Sequence, residues 1–399
     1  MSMISVSEAI ALVLAYSPKL PPQTKTLLDS LGCVTADNIF AQTDIPPFDQ
    51  SAMDGYAFRF EDWNSQHPLK IAGEIPAGQI ASNILPPNFA MRIFTGAAVP
   101  PGADTVVMQE KAELQNNGQK ALIIRDLELK KGANIRPSGS QIRQGDLALP
   151  QGSLITAGAI GYLAMLGISN LSVYPRPRIT LMITGNELTS PGEVLPPGKV
   201  FECNSFSLTA ALRSIHIQPV AVCFAPDDKQ QISSQVQTTA PNSDLIILTG
   251  GVSVGNYDFV PEALTSCGTK TLFHKVKQKP GKPMYAGVLN NTLIFGLPGN
   301  PAAVLTGFYR YILPAIKSMM NLPLPQSTSI YHLADNYPKK TGLSFLLKGK
   351  IISRDEVMPL PNQLSYLMDS FAEADCLIEL EENKADYQKG DEVTVFPFV

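Results

Sequence analysis

Four short segments of the 399-residue chain carry residues suited to holding an anion together with its counter-ion. They are "TGNEL" (184–188), "PDD" (226–228), "TGGVSVGNYD" (249–258) and "LPGNPAA" (297–303), and each follows an apolar, β-branched run. Glycines let the backbone approach a ligand closely, and exposed N–H groups at helix starts attract negative charge. The acids Glu187, Asp227 and Asp258 would then line one crevice. Carboxylates beside a phosphate-type ligand repel it unless a divalent cation lies between them, and Mg²⁺ favours that mixture of carboxylate, water and phosphate oxygens. Any one of these segments is equally an ordinary loop. Their recurrence at four successive strand ends is what points to a site.

Two further stretches bear on the same chemistry. "KVKQKPGKP" (275–283) puts Lys275, Lys277, Lys279 and Lys282 within eight residues of a chain whose net charge is −4. A solvated hairpin edge is the plain interpretation of such a run. Extended backbone, however, would place Lys275, Lys277 and Lys279 on one face, with Pro-Gly turning Lys282 back toward them. An ammonium group is a compact partner for an oxyanion. In "PPFDQSAMDGYAFR" (46–59), Asp54-Gly55 has the form of a standard hairpin turn. The small, apolar "SAM" before it implies that the turn packs against something.

The elements that must position these residues follow from periodicity. "RITLMIT", "QPVAVCFA", "DLIILTG" and "TLIFGL" are strand-like. "SFSLTAALRSI", "KQQISSQVQTT" and "PAAVLTGFYRYILPAI" are helix-like and lie between or after them. That alternation predicts a parallel α/β sheet whose loops carry the site. Proline clusters at 173–178 and 321–326 mark joints on either side. Residues 5–31 are expected to be helical, opened by a Ser5/Glu8 capping box. Short strands with Gly/Pro turns are expected between 46 and 129, a helix over 156–168, and a small, mostly β unit after 326.

Composition excludes other classes. Apolar content of 44% and charged content of 17% fit a soluble globular protein of several domains. The acidic balance argues against a nucleic-acid binder. Five scattered cysteines without C-x-x-C predict reduced thiols in a cytoplasmic protein, and four scattered histidines offer no transition-metal set. No stretch reaches the ~20 apolar residues of a membrane span. The opening segment lacks the basic start of a signal peptide.

"FDQSAMDGYA", "RIFTGAAVPPGADTVVMQE", "TGNEL", "TGGVSVGNYD", "KVKQKPGKP" and "GLPGNPAAV", in this order, resemble the molybdopterin molybdenumtransferases, the MoeA family that includes the gephyrin E domain. The resemblance runs from about residue 5 to 320 and is looser beyond. It implies an α/β multidomain fold. Residues 1–44 plus 142–173 would form a helical domain, 45–141 an inserted mostly-β domain, 174–321 a molybdopterin-binding α/β domain, and 322–399 a small β-barrel-like domain. The implied activity is insertion of molybdenum from molybdate into adenylylated molybdopterin, with Mg²⁺ required and AMP released. The alternatives are a weakened paralogue acting as a molybdopterin-binding scaffold dimer, and a molybdopterin adenylyltransferase. The resemblance further implies a homodimer, with molybdopterin adenylyltransferase as a candidate partner.

The same resemblance places residues. Glu187, Asp227 and Asp258 would stand near Mg²⁺ and the adenylate phosphates. Asp54 and Thr95 would reach in from the partner subunit. Gly250, Gly251, Ser253 and Gly255 would wrap the pterin phosphate. Lys275, Lys279 and Lys282 with Pro298 and Pro301 would line the pterin and molybdate pocket, and Ser365 and Ser370 correspond to serines of the C-terminal domain. This chain departs from the family pattern at Asn186, Ser140 and Gln141, where acids are usual, at Lys348, where arginine is usual, and at Leu364, where glycine is usual.

Overall fold

The computed structural model describes residues 2–63, 67–116, 120–252, 259–322 and 329–398. Its centre is a six-stranded sheet in the order Ala221–Ala225, Ile179–Thr184, Leu245–Thr249, Thr292–Leu297, Tyr285–Leu289, Lys270–His274. The first four strands are parallel, as the alternating pattern predicts. The last two join antiparallel, so the sheet is mixed rather than purely parallel. The cause is local: Leu289 and Thr292 are separated by a tight reversal at Asn290, whose φ of +54° suits asparagine. A reversal that short joins neighbours only in antiparallel fashion. Every residue of Ile179–Thr184, Leu245–Thr249 and Thr292–Leu297 is buried, which explains why these runs show no polar alternation.

Helices cover both faces. Asn204–Ser214 lies in the chain between Ile179–Thr184 and Ala221–Ala225, and Lys229–Thr239 is capped by Asp228, whose carboxylate accepts from the Gln231 N–H at 2.9 Å. Pro301 opens the helix Pro301–Gly307 at a first-turn position that needs no N–H. The main core joins Leu181, Leu245, Ile247, Phe295 and Leu208 to Val6, Ala9 and Val13 of the first helix. Each fully buried Val, Leu, Ile or Phe among them contributes roughly 1.5–3 kcal/mol.

The N-terminal stretch differs from expectation. Only Val6–Ala15 is α-helical, with the capping box formed: the Glu8 N–H meets Ser5 Oγ at 3.2 Å and the Ser5 N–H meets Glu8 Oε2 at 2.8 Å. Residues Gln23–Thr26 form a strand in a three-stranded sheet with Asn170–Tyr174 and Val34–Thr35. "QTKT" has no apolar 3.6-residue repeat, and pairing with a distant strand decides its state. The helix Ala157–Met165 forms as expected, capped by Thr156.

Residues from 55 to 124 build a second six-stranded sheet, ordered Thr105–Met108, Gly55–Phe58, Phe89–Ile93, Leu69–Ile75, Lys120–Ile124, Ala112–Asn116. Here Asp54-Gly55 is not a two-residue hairpin turn. The strand Gln50–Ser51 pairs with Ile135–Arg136, whereas Gly55–Phe58 pairs with Phe89–Ile93 and Thr105–Met108. Gly55 is required for close approach instead: a Cβ on it would sit 1.9 Å from the Val107 carbonyl oxygen.

The C-terminal strands Ser344–Ile351, Glu356–Pro359, Ser329–Leu333, Glu392–Pro397 and Cys376–Leu380 close into a barrel through the pairing of the first with the last. Gln278–Lys279 adds to its edge by pairing in parallel with Ser344–Phe345. Among the described residues, no helix is long and apolar enough to cross a membrane.

Candidate active site

The order of the central sheet reverses between Ile179–Thr184 and Leu245–Thr249, because the chain moves outward to Ala221–Ala225 and then returns to the opposite side. Loops leave such a switch point in opposite directions and open a crevice at the carboxyl ends of the strands. Three expected loops meet there. The Gly250 N–H donates to the Leu297 carbonyl at 3.1 Å. A Cβ at Gly250, φ +91°, would lie 2.4 Å from the Thr184 carbonyl oxygen, so only glycine fits between the two strand ends. Gly299 approaches Gly250 in turn, since a Cβ added to Gly299 would be 3.9 Å from the Gly250 Cα.

The acids sort themselves by contact. Asp228 caps its helix, which leaves Asp227 to the crevice, where its Oδ2 accepts from the Asn186 N–H at 3.1 Å. Glu187 folds back over Gly185, where a Cβ would be 2.9 Å from both of its carboxylate oxygens. Lys199 donates to the Asn186 carbonyl and ties the loop down. Asp258, Ser253 and Gly255 lie outside the described residues. Among the described residues no group of three His, Cys, Asp or Glu side chains is disposed to hold a metal ion.

The basic segment is a hairpin rather than a regular strand. The Lys275 N–H donates to the Met284 carbonyl at 2.9 Å and the Val276 N–H to the Lys282 carbonyl at 3.0 Å, with Lys275 at φ +84°. The alternation survives: Val276, Gln278 and Pro280 are buried, while Lys275 and Lys277 are half-buried and Lys279 is exposed. Their charges nonetheless go to different places. Lys277 pairs with Glu382 of the barrel at 2.8 Å, so it joins two units. The Lys279 ammonium lies 5.2 Å from the centre of the Phe345 ring, and Lys282 is exposed beyond the corner. Lys275 lines a polar cavity of about 250 Å³ with His274, Thr271, Tyr285, Pro261 and Thr265.

The C-terminal barrel reaches the crevice through Ser365. Its hydroxyl accepts from the Asn300 side-chain amide at 2.8 Å, and its carbonyl accepts from the Ala302 N–H at 3.1 Å. Pro298 and Pro301 flank that contact, both half-buried. Ser370 does not face the crevice: it is buried, and its hydroxyl donates to the Asn362 carbonyl at 3.0 Å. Lys348 is also internal. It is 2% exposed and donates to the Asn362 carbonyl at 2.6 Å and the Leu367 carbonyl at 3.0 Å. Burial pulls its pKa below the ordinary lysine value. The Lys348 ammonium thus holds the loop that carries Ser365.

Three residues absent from the expected set complete the crevice. Asn204, at the start of its helix, donates to the Gly299 carbonyl at 2.9 Å, and its Oδ1 is buried without a hydrogen-bond partner among the described residues. Thr184 donates to the Thr249 carbonyl at 3.2 Å. The His274 Nε2 lies 3.0 Å from the Val252 carbonyl at the root of the glycine loop, so that nitrogen carries the proton. Asn204 and His274 offered no motif in the sequence.

Asp54 and Thr95 form a unit in the second sheet. The Thr95 N–H and hydroxyl donate to Asp54 Oδ1 at 2.8 and 2.7 Å and hold that carboxyl below its usual range. Among the described residues no hydrogen bond or ion pair joins this unit to the strand-end loops of the same chain. The "RPSGSQ" segment is held by residues 45–49, where the Ser138 N–H donates to Asp49 at 2.7 Å and the Gln141 N–H to the Ile45 carbonyl at 2.9 Å.

Comparison with known proteins agrees along the whole chain. Residues 4–167 match the MoeA N-terminal region (domain I and II), 180–318 a probable molybdopterin binding domain, and 332–398 the MoeA C-terminal region (domain IV). The chain is 32% identical to a molybdopterin molybdenumtransferase of Haemophilus influenzae over 99% of both chains. It is 38% identical to molybdopterin molybdenumtransferase 2 of Mycobacterium tuberculosis over 81% of both. The crystal structure of a molybdopterin biosynthesis MoeA protein from Pyrococcus horikoshii OT3 superposes with a TM-score of 0.74 at 26% identity, covering 99% of each chain.

Proposed function

The chain belongs to the MoeA family of molybdopterin molybdenumtransferases, and we propose that the crevice at the switch point of its central sheet is where molybdenum enters molybdopterin. The activity is that of a transferase in molybdenum cofactor biosynthesis. The convergence of Gly250, Gly299, Asn300 and Ser365 at the switch point carries this placement.

The substrates are adenylylated molybdopterin and molybdate, and AMP is the leaving product. Both substrates are anionic, so bringing them together demands positive charge and backbone donors. The loop of Gly250, Gly251, Ser253 and Gly255 wraps the pterin phosphate, with Gly250 serving close approach because its N–H is already given to the Leu297 carbonyl. Lys275, Lys279 and Lys282 attract molybdate and offset its repulsion from the phosphates, with Pro298, Pro301 and Ser365 shaping the pocket. Glu187, Asp227 and Asp258 would hold Mg²⁺. Asp227 commits one oxygen to the Asn186 N–H and keeps the other, and carboxylate oxygens suit a hard cation. When bound, Mg²⁺ supplies charge neutralisation at the phosphates.

Asp54 and Thr95 complete the crevice from a second subunit of a homodimer. The unit they form is already ordered by its own hydrogen bonds, which is what a group presented to a partner requires. The division into four domains at 1–44 plus 142–173, 45–141, 174–321 and 322–399, a cytoplasmic location and delivery of the adenylate by an adenylyltransferase belong to the same reading.

The test is a stoichiometric insertion assay. Purified protein given adenylylated molybdopterin, Mg²⁺ and molybdate yields cofactor that reconstitutes an apo-molybdoenzyme, and Glu187→Gln abolishes most of that yield. Well-folded protein with no turnover refutes the proposal. Asn186→Asp restores an acid beside Asp227 and is expected to raise the rate.

A further inference from the structure

We propose that Gln278 and Tyr311 are positioning residues that set the geometry of the basic hairpin 275–283, and hence where Lys279 and Lys282 present their charges. The kinetic half of this inference rests on the functional reading above; the structural half does not.

Gln278 lies between Lys277 and Lys279 yet is only 1% exposed. Its side chain is fully engaged. Nε2 donates to the Pro280 carbonyl at 3.0 Å and the Gly281 carbonyl at 3.3 Å, and Oε1 accepts from the Tyr311 hydroxyl. These two carbonyls form the corner that separates Lys279 from Lys282. Proline has no N–H to close such a corner from within, and Gly281 stands at φ +79°. The glutamine amide therefore supplies the donors that the backbone lacks. It also fills the inside of the turn, since a Cβ at Gly281 would lie 3.0 Å from Nε2.

Tyr311, which donates to Gln278, stands on a widened stretch of helix. Phe308–Ile312 is a π-helical turn between the α-helical segments Pro301–Gly307 and Leu313–Met319. Such single wide turns are rare and cluster at functional sites. Tyr311 is fully buried, and burial raises its pKa, so the hydroxyl remains a donor. A buried polar network with every member satisfied rigidifies its surroundings. Lysine side chains are long and flexible, so the fold controls an ammonium mainly by fixing the backbone at its root. For Lys279 and Lys282 that root is the corner tied to Gln278.

Two readouts test this. The first is amide exchange at Lys275 and Val276, whose N–H groups close the hairpin. The second is KM against kcat for molybdate insertion. Gln278→Met keeps the volume and removes the network. It is expected to accelerate exchange at those two amides by about tenfold relative to the strand amides of Leu245–Thr249. It is expected to raise KM for molybdate about tenfold with kcat changed less than about twofold. Tyr311→Phe removes one hydrogen bond, keeps the ring, and gives about threefold effects in the same direction. It decides the matter if Gln278→Met does not fold. Unchanged exchange in the folded variants overturns the proposal, and so does faster exchange with unchanged KM. Faster exchange in a protein whose parent inserts no molybdenum supports the hairpin network and refutes the functional reading alone.

Discussion

Lysines of the basic hairpin and lysines of the C-terminal barrel meet different surroundings with the same ammonium group. Lys279 and Lys282 stand at a corner and are exposed. Lys339 and Lys348 are 4% and 2% exposed and give their protons to backbone carbonyls: Lys339 to those of Glu381 and Lys384, Lys348 to those of Asn362 and Leu367. Burial lowers the pKa of both barrel lysines. An ammonium surrounded by carbonyls stabilises a loop and has at most one donor left for a ligand. An exposed one contributes little to folding and keeps its donors for an anion. The difference teaches that charge type alone does not mark a binding residue. What marks it is the absence of internal acceptors.

Mutations can break this contrast in order of expected effect. The double substitution Lys279→Ala, Lys282→Ala removes the two charges proposed to attract molybdate and should lower kcat/KM for molybdate insertion roughly 10³-fold. Its melting temperature should stay close to that of the parent, because exposed positions rarely matter for stability. A calorimetric scan beside the insertion assay checks both halves. Lys348→Met should do the reverse. It strands two carbonyls and should cost about 3 kcal/mol in urea unfolding, with any loss of activity following from displacement of Ser365. If activity fell at unchanged stability, the barrel lysine would be a ligand after all.

Lys277→Ala is intermediate, since its pair with Glu382 is only partly shielded. It should lower the melting temperature by about 2 °C or less, and the difference should shrink in high salt. The smallest effect concerns Asp54. Hydrogen bonds from Thr95 favour the ionised carboxylate, so its folded pKa is depressed below 3.8. The stabilisation is therefore fully present above the ordinary carboxylate pKa and is lost as pH falls through the lower folded value. An NMR titration of the Thr95 amide should show a midpoint below that of an unstructured aspartate. A midpoint at or above it would contradict the contact.

Much of the fold was legible because its causes are local. The buried runs "ITLMIT" and "LIILT", the Ser5/Glu8 capping box and the proline at the start of Pro301–Gly307 each state their element in consecutive residues. The strand Gln23–Thr26 did not, because only its partner Asn170–Tyr174 makes it a strand. The Asp54-Gly55 pair misled for a related reason: a common turn dipeptide here serves a close approach to Val107 from another strand.

The candidate site divides along the same line. Sequence by itself determined that glycines, acids and lysines cluster after successive strands, since pattern and composition are properties of neighbours along the chain. Tertiary structure alone decided which of them face the crevice. It gave Asp228 to a helix cap and left Asp227 beside Asn186. It gave Lys277 to Glu382 and Lys348 to two carbonyls. It brought Asn204 to Gly299 and Ser365 to Asn300 across long stretches of chain. The physical reason is that a polar side chain is committed by whichever donor or acceptor comes within about 3 Å of it, and the partners of these residues are supplied by chain folding rather than by adjacency.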